Sequence, residues 1–267
     1  MSAGAAVRTG VRTAGELCIT AGVLVLLFLT WQLWWTDVTA GQEARASAGA
    51  LREQWQAGGA GAPQPSPGPA PAPAPSSVPS SEGSAAPVDV PAPSAPEPPV
   101  PVEPGQGEAF ALVHVPRFGQ GWQVAVEQGV VLDGVLDDGV LGHYPGTAMP
   151  GAVGNFSLAG HRTTYGKPLS RIAELQAGDP VVVETAQDWY VYRVREALVV
   201  LPSQVEVIAP DPGSPGAAPT ERLLTLTACH PRYSARERYV VHAVLESWQP
   251  RGAGDPRALA GAEPGGV

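Results

Sequence analysis

The run ELCITAGVLVLLFLTWQLWWTD constrains this chain more than any other, because it carries no charge between Leu17 and Trp35. About 19 such residues make roughly 28 Å of helix, close to the thickness of a bilayer's hydrocarbon core. Arg8 and Arg12 precede the run and Asp37 follows it. Trp31, Trp34 and Trp35 gather at the far end, where an aromatic belt meets lipid headgroups. A secretory signal peptide has a shorter apolar core and a small-residue cleavage site, and WWTDVTA is a poor version of one. The segment reads as an uncleaved single-pass anchor at 16–36, with residues 1–15 cytoplasmic and the rest of the chain outside.

Gly (32) and Pro (30) make up nearly a quarter of the 267 residues, so much of the chain cannot be packed core. A net charge of −9 argues against nucleic acid as a partner, which would call for a basic face. Beyond the anchor, residues 37–106 divide in two. VTAGQEARASAGALREQWQ, from Val38 to Gln56, has helical composition and an apolar stripe through Ala44, Ala48, Leu51 and Trp55. From Ala62 to about Gly107 the chain is Pro/Ala/Ser-rich, which favours a semi-rigid polyproline spacer. At about 3.1 Å per residue it could reach on the order of 130 Å, enough to lift a domain off a membrane.

Residues 107–250 are the folded part. FALVHVP, GNFSLAGH, DPVVVET, WYVYRVREALVV, RLLTLTAC and RYVVHAVLESW are β-branched runs separated by Gly, Pro and Asp, which points to an all-β barrel or sandwich. PLSRIAELQAG suggests one short helix stopped by Gly178, and VAVEQGVVLDGVLDDG another irregular piece. Residues 251–267 read as a disordered tail.

The chemistry centres on TLTACHPRYSARERYVVHA. Cys18 and Cys229 are the two cysteines, and the anchor puts Cys18 on the wrong side of the membrane to pair with Cys229. An unpaired thiol outside the cytoplasm is intermolecular or reactive, unless it is simply buried. Strand parity places Leu224, Leu226 and Ala228 on one face and Thr225, Thr227 and Cys229 on the other. The apolar set must face the core, so Cys229 projects from the polar face at the strand end, and Pro231 stops the ladder.

Only a few per cent of a free thiol is ionised at neutral pH, so a reactive cysteine needs a base. His230 points away from Cys229 by parity, and His114 and His143 sit in ordinary surroundings. His161 follows Phe156 and Leu158 on the opposite face. Spacing favours it without excluding His242. Attack on a peptide carbonyl also develops an oxyanion, which a fixed cation stabilises. With Tyr239, Val241, Ala243 and Leu245 as the buried set, Arg238 opens its strand on the polar face.

TLTACHP followed by SARERYVV resembles the catalytic segment of sortases, a TLxTC pattern with an arginine opening the next strand. GNFSLAGHRTTYGKPL resembles the sortase histidine segment. GTAMPGAVGNFSLAGHR with CHPRYSARER looks most like the actinobacterial class E branch, and the likeness covers roughly 113–248. It implies a closed sortase-type β-barrel with one or two short helices, Cys229 as nucleophile, His161 as acid/base and Arg238 as transition-state stabiliser. It also implies no cofactor. The expected partners are the membrane, secreted proteins bearing a C-terminal LPxTG- or LAxTG-like sorting signal, and a lipid-linked peptidoglycan precursor amine. The family usually has Thr immediately before the cysteine, whereas this chain has Ala228. The loop LPSQVEVIAPDPGSPGAAPTE corresponds to one that helps form the signal groove in sortases, where Val205, Val207 and Ile208 could offer apolar contact.

Two other readings compete. An L,D-transpeptidase also uses an extracytoplasmic cysteine and histidine, but expects Gly before the cysteine and a histidine closer in sequence. A non-catalytic wall-binding module would keep the barrel without the chemistry. No HExxH or CxxC pattern supports a metal site.

Overall fold

The structure, a computed structural model, describes residues 3–59 and 96–260. The spacer residues 60–95, the side chains of Trp34 and Trp35, and residues 261–267 lie outside that description. Eight strands form a closed barrel: β1 (Ala109–His114), β2 (Gln123–Gln128), β3 (Leu141–His143), β4 (Gly154–Ala159), β5 (Pro180–Glu184), β6 (Asp188–Val200), β7 (Arg222–His230) and β8 (Glu237–Pro250). Around the barrel they run β1-β2-β3-β4-β7-β8-β6-β5. The β2–β3 and β4–β7 pairs are parallel, and the other six pairs are antiparallel.

Alternation sets which side chains fill the interior. Phe156, Leu158, Leu224, Leu226, Ala228, Val241 and Ala243 share one buried cluster, against which Tyr239 and Leu245 pack. These are the faces that parity assigns in the sequence. The stretch read as irregular begins with a regular strand, VAVEQ, within β2. Val124 and Val126 enter the barrel core while Ala125 faces out, a period of two. The short helix in PLSRIAELQAG is a 3-10 turn at Ile172–Glu174. Its buried residues Leu169, Ile172 and Leu175 recur every third position, which matches three residues per turn. Gly178 follows in a turn at φ +89.

One unbroken helix, α1 (Ala3–Gly59), precedes the barrel, and its segment Val11–Trp31 is long and apolar enough to cross a membrane. The same helix then docks on the barrel. Ala48 and Leu51 are buried against Leu112, Ala125, Val135 and Leu136, with Ala44 and Trp55 packed beside them. This is the stripe read from the sequence. Ser47 donates to Glu127 at 3.0 Å, and Arg52 donates to Gln123 at 2.6 Å.

Buried Glu184 ties three parts of the chain together. It meets Arg52 of α1 at 3.3 Å, His114 of β1 at 2.9 Å and Arg251 at 3.2 Å. Burial alone would raise its pKa, but the hydrogen bond and charge of His114, with Arg52 and Arg251, outweigh that and hold the carboxyl below its ordinary range.

One expectation about the flanks needs correction. Residues 251–260 are not disordered. They form 3-10 turns at Arg251–Ala253 and Arg257–Ala260, and Ala258 and Leu259 pack on Val182, Trp189 and Val191. The spacer is not the first part of the chain to be fastened to the barrel. The helix itself reaches the barrel, and the chain is again held against it from Pro96, whose carbonyl accepts from Trp248 at 3.1 Å, and Pro99, whose carbonyl accepts from Tyr190 at 2.9 Å. Composition describes the stiffness of a linker but not where its two ends are fastened.

Candidate active site

A cavity of about 200 Å³ opens where β4 and β7 end and β8 begins. Cys229, His161 and Arg238 all line it, together with Leu132, Leu136, Tyr144 and Thr227. The three candidates are thus brought together from positions far apart in sequence. Cys229 is half-buried, and its direct cross-strand partner is Arg238, so sulfur and guanidinium leave neighbouring strands on the same face. His161 arrives on the turn after β4, whose Ala159 pairs with Thr227 of β7. Gly160 allows this turn to lie close to the core. A Cβ there would come within 2.7 Å of Leu141 and 2.9 Å of Leu169.

The imidazole is held on two sides. Its Nε2 lies 2.8 Å from Asp137 Oδ1, and its ring stacks on Tyr165 at a centroid distance of 5.1 Å. Asp137 stands on a 3-10 turn, Leu136–Asp138, in the β2–β3 connection, and Gly139 closes that turn in the left-handed region. The sequence hinted at Asp137 only through an acidic pair, LDDG. Its 24-residue separation from His161 hides the contact.

Arg238 Nη1 donates to the carbonyls of Ala235 (2.9 Å) and Glu237 (3.0 Å), which anchors the guanidinium at the start of β8. A second arginine was not foreseen. Arg162 is buried, with Nη1 3.3 Å from the Cys229 carbonyl and 2.7 Å from His230 Nδ1, and its guanidinium lies 5.3 Å from the Tyr239 ring centroid. It pins the backbone that carries Cys229. Burial, and after it the charge of Arg232, lowers its pKa. Its Nε has no partner among the described residues.

The remaining histidines are accounted for elsewhere. His242 is buried and bonded to Thr225 at 2.8 Å, His114 pairs with Glu184, and His143 is held by Gln128 and Thr147. Desolvation lowers the pKa of both His242 and His143, which disfavours their charged forms. Ala228 faces the barrel core. The hydroxyl that lines the cavity beside the cysteine belongs to Thr227, bonded to Tyr144 Oη at 3.0 Å. Val205–Ile208 forms a 3-10 turn, which Asn155 fastens through the carbonyls of Val207 and Ala209.

Comparison with known proteins identifies the family. The sortase-domain family model matches residues 113–246. Sortase SrtE1 of Streptomyces coelicolor is 38% identical over 254 residues, which is 93% of this chain and 60% of the relative, so the chain spans about 60% of that protein's length. Sortase SrtE2 of the same organism is 32% identical, over 88% of this chain and 81% of its own. Among solved structures, the SrtA sortase from Actinomyces oris is 41% identical with a TM-score of 0.59, covering 64% of this chain and 97% of that one. Sortase E1 from Streptomyces coelicolor with a tripeptide in the active site is 40% identical with a TM-score of 0.54, covering 58% and 99%.

Proposed function

Because this chain belongs to the sortase family, we propose that it is a membrane-anchored cysteine transpeptidase. It cleaves an LAxTG- or LPxTG-like C-terminal sorting signal at its Thr and passes the protein to a cell-wall amine. The observation that carries this reading is the single cavity that Cys229, His161 and Arg238 share.

In the proposed reaction, the Cys229 thiolate attacks the carbonyl carbon of the Thr–Gly peptide bond. The carbonyl oxygen gains negative charge beside Arg238, whose guanidinium stabilises it. When the C–N bond breaks, the imidazolium of His161 gives its proton to the departing Gly amine, leaving a Cys229 thioester. Neutral His161 then takes a proton from the incoming amine as its nitrogen attacks the thioester, and the thiolate is released. With Nε2 facing Asp137, Nδ1 is the nitrogen left for both transfers. The acceptor is a lipid-linked peptidoglycan precursor amine, which suits an enzyme anchored by Val11–Trp31 with Arg8 on the cytoplasmic side.

The test uses the full chain in nanodiscs with a fluorescent LAxTG peptide and a soluble amine. The wild type should release the C-terminal fragment and show, by intact mass, a thioacyl adduct on Cys229. Cys229→Ala should do neither. Equal turnover by that variant would refute the reading.

A further inference from the structure

The order in which α1 meets the barrel fixes which end of the barrel lies nearer the membrane. Leaving the apolar segment, the helix first touches the catalytic end. A Cβ on Gly139 would lie 2.8 Å from the Ala40 carbonyl oxygen and 3.3 Å from that of Tyr165, and one on Gly166 would lie 3.5 Å from Gly41 N. Gly139 closes the turn that carries Asp137, and Tyr165 stacks on His161. Further along, Ser47 meets Glu127 and Arg52 meets Glu184. Last comes Trp55, 4.9 Å from the guanidinium of Arg251, which follows the end of β8 opposite Arg238. Ala40 is nine residues beyond Trp31, about 13 Å at 1.5 Å per residue. A docked helix therefore leaves the mouth of the cavity facing back along α1 towards the bilayer.

That mouth has an apolar rim contributed by separate connections. Leu132, which lines the cavity, is 60% exposed. Leu201 follows Val200, the cross-strand partner of Arg238, and is 55% exposed. Tyr233, between Cys229 and Arg238, is 86% exposed. Exposed Arg232 and Arg236 flank it, where they would meet lipid phosphates. Apolar and aromatic side chains ringed by arginine suit a membrane interface.

We propose that the catalytic mouth rests on the outer surface of the membrane, with Leu132, Leu201 and Tyr233 in the headgroup layer. On that surface, the cavity receives the reactive ends of substrates still attached to lipid. The proposal rests on reading Val11–Trp31 as membrane-spanning, and it assigns the barrel's height to α1 rather than to the segment after it.

The test places one fluorophore at a time on the full chain in nanodiscs whose lipids carry a headgroup nitroxide quencher. Leu201→Cys and Tyr233→Cys, each in a Cys18→Ser, Cys229→Ala background, report the mouth. Gln187→Cys, exposed at the turn before β6, reports the opposite end. Native Cys18, labelled in Cys229→Ala against acyl-chain quenchers, reports the span. Strong quenching at 201 and 233, with none at 187, supports the proposal. Quenching at Cys18 with none at 201 and 233 overturns the orientation while leaving the anchor intact. An unquenched Cys18 overturns the anchor, and the orientation with it. Inserting seven helical residues after Asp37 adds about 10 Å at nearly unchanged rotation, and should abolish the signal at 201. Deleting residues 62–94 should leave that signal unchanged, and its loss on that deletion would overturn the role given to α1.

Discussion

The Nε2 of His161 lies 2.8 Å from the Oδ1 of Asp137, so a carboxylate on the β2–β3 connection orients the imidazole on the turn after β4. This pair carries the first prediction. A general acid–base group contributes on the order of 10²–10⁴-fold to a reaction, and Asp137→Asn is expected to remove roughly tenfold of this from kcat with KM little changed. Asp137→Glu should recover part of the loss. Steady-state peptide turnover checks both, and ring nitrogen NMR shifts of His161 should report a changed tautomer balance. An unchanged kcat would leave the contact without a role in positioning.

Arg238 faces Cys229 across the β7–β8 ladder. Removing an oxyanion donor costs about 10²–10³-fold in kcat, so Arg238→Ala should fall in that range. Arg238→Lys keeps the charge but loses the planar fork and should recover only part. A rise in KM alone would instead mean that Arg238 binds substrate in the ground state.

Leu51 is 3% exposed in the interface between α1 and the barrel. Leu51→Ala should weaken docking by about 2–3 kcal/mol, equivalent to a fall in exchange protection of roughly 30- to 150-fold over residues 44–55. Barrel strands such as β7 should keep their protection in hydrogen-exchange mass spectrometry. Loss of protection throughout would mean that the helix is part of the barrel's own folding unit.

The buried histidines and Glu184 give a prediction in pH. His143 and His242 have folded pKa values below their ordinary 6.5 because burial disfavours the cation. The unfolded chain binds those protons first, so stability is highest above pH 6.5 and falls as pH drops below it. Glu184, also held below its ordinary value, adds a second loss as pH falls below about 4.5. Urea midpoints from pH 8 to 3.5 should therefore decline in two stages. His242→Gln should flatten the first stage, and Glu184→Gln the second.

Much of the site was legible because the strands that carry it are long and alternate cleanly. LLTLTAC and RYVVHAVL each divide into a buried and a polar face, and these alone put Cys229 and Arg238 on one side of the sheet. The Ala44–Trp55 stripe was legible for the corresponding helical reason. β3 has three residues, too few for a pattern, and β2 ends in a glycine-rich stretch that looked irregular. Asp137 and Arg162 escaped notice because each acts on a partner, His161 or the Cys229 carbonyl, that only the fold brings near. The seating of α1 escaped for a related reason. An apolar stripe announces that a helix will be covered without saying by what.

The barrel is closed, with each of its eight strands paired on both sides. A sheet with no free edge offers no backbone ladder for a visiting peptide to extend. Along the paired part of the barrel an extended substrate segment has no edge to join, and β7 is paired with β4 only as far as Thr227, so recognition rests mainly on side chains and connecting loops around the cysteine. Sequence preference in the proposed reaction should accordingly shift with substitutions in those loops while the strands stay fixed.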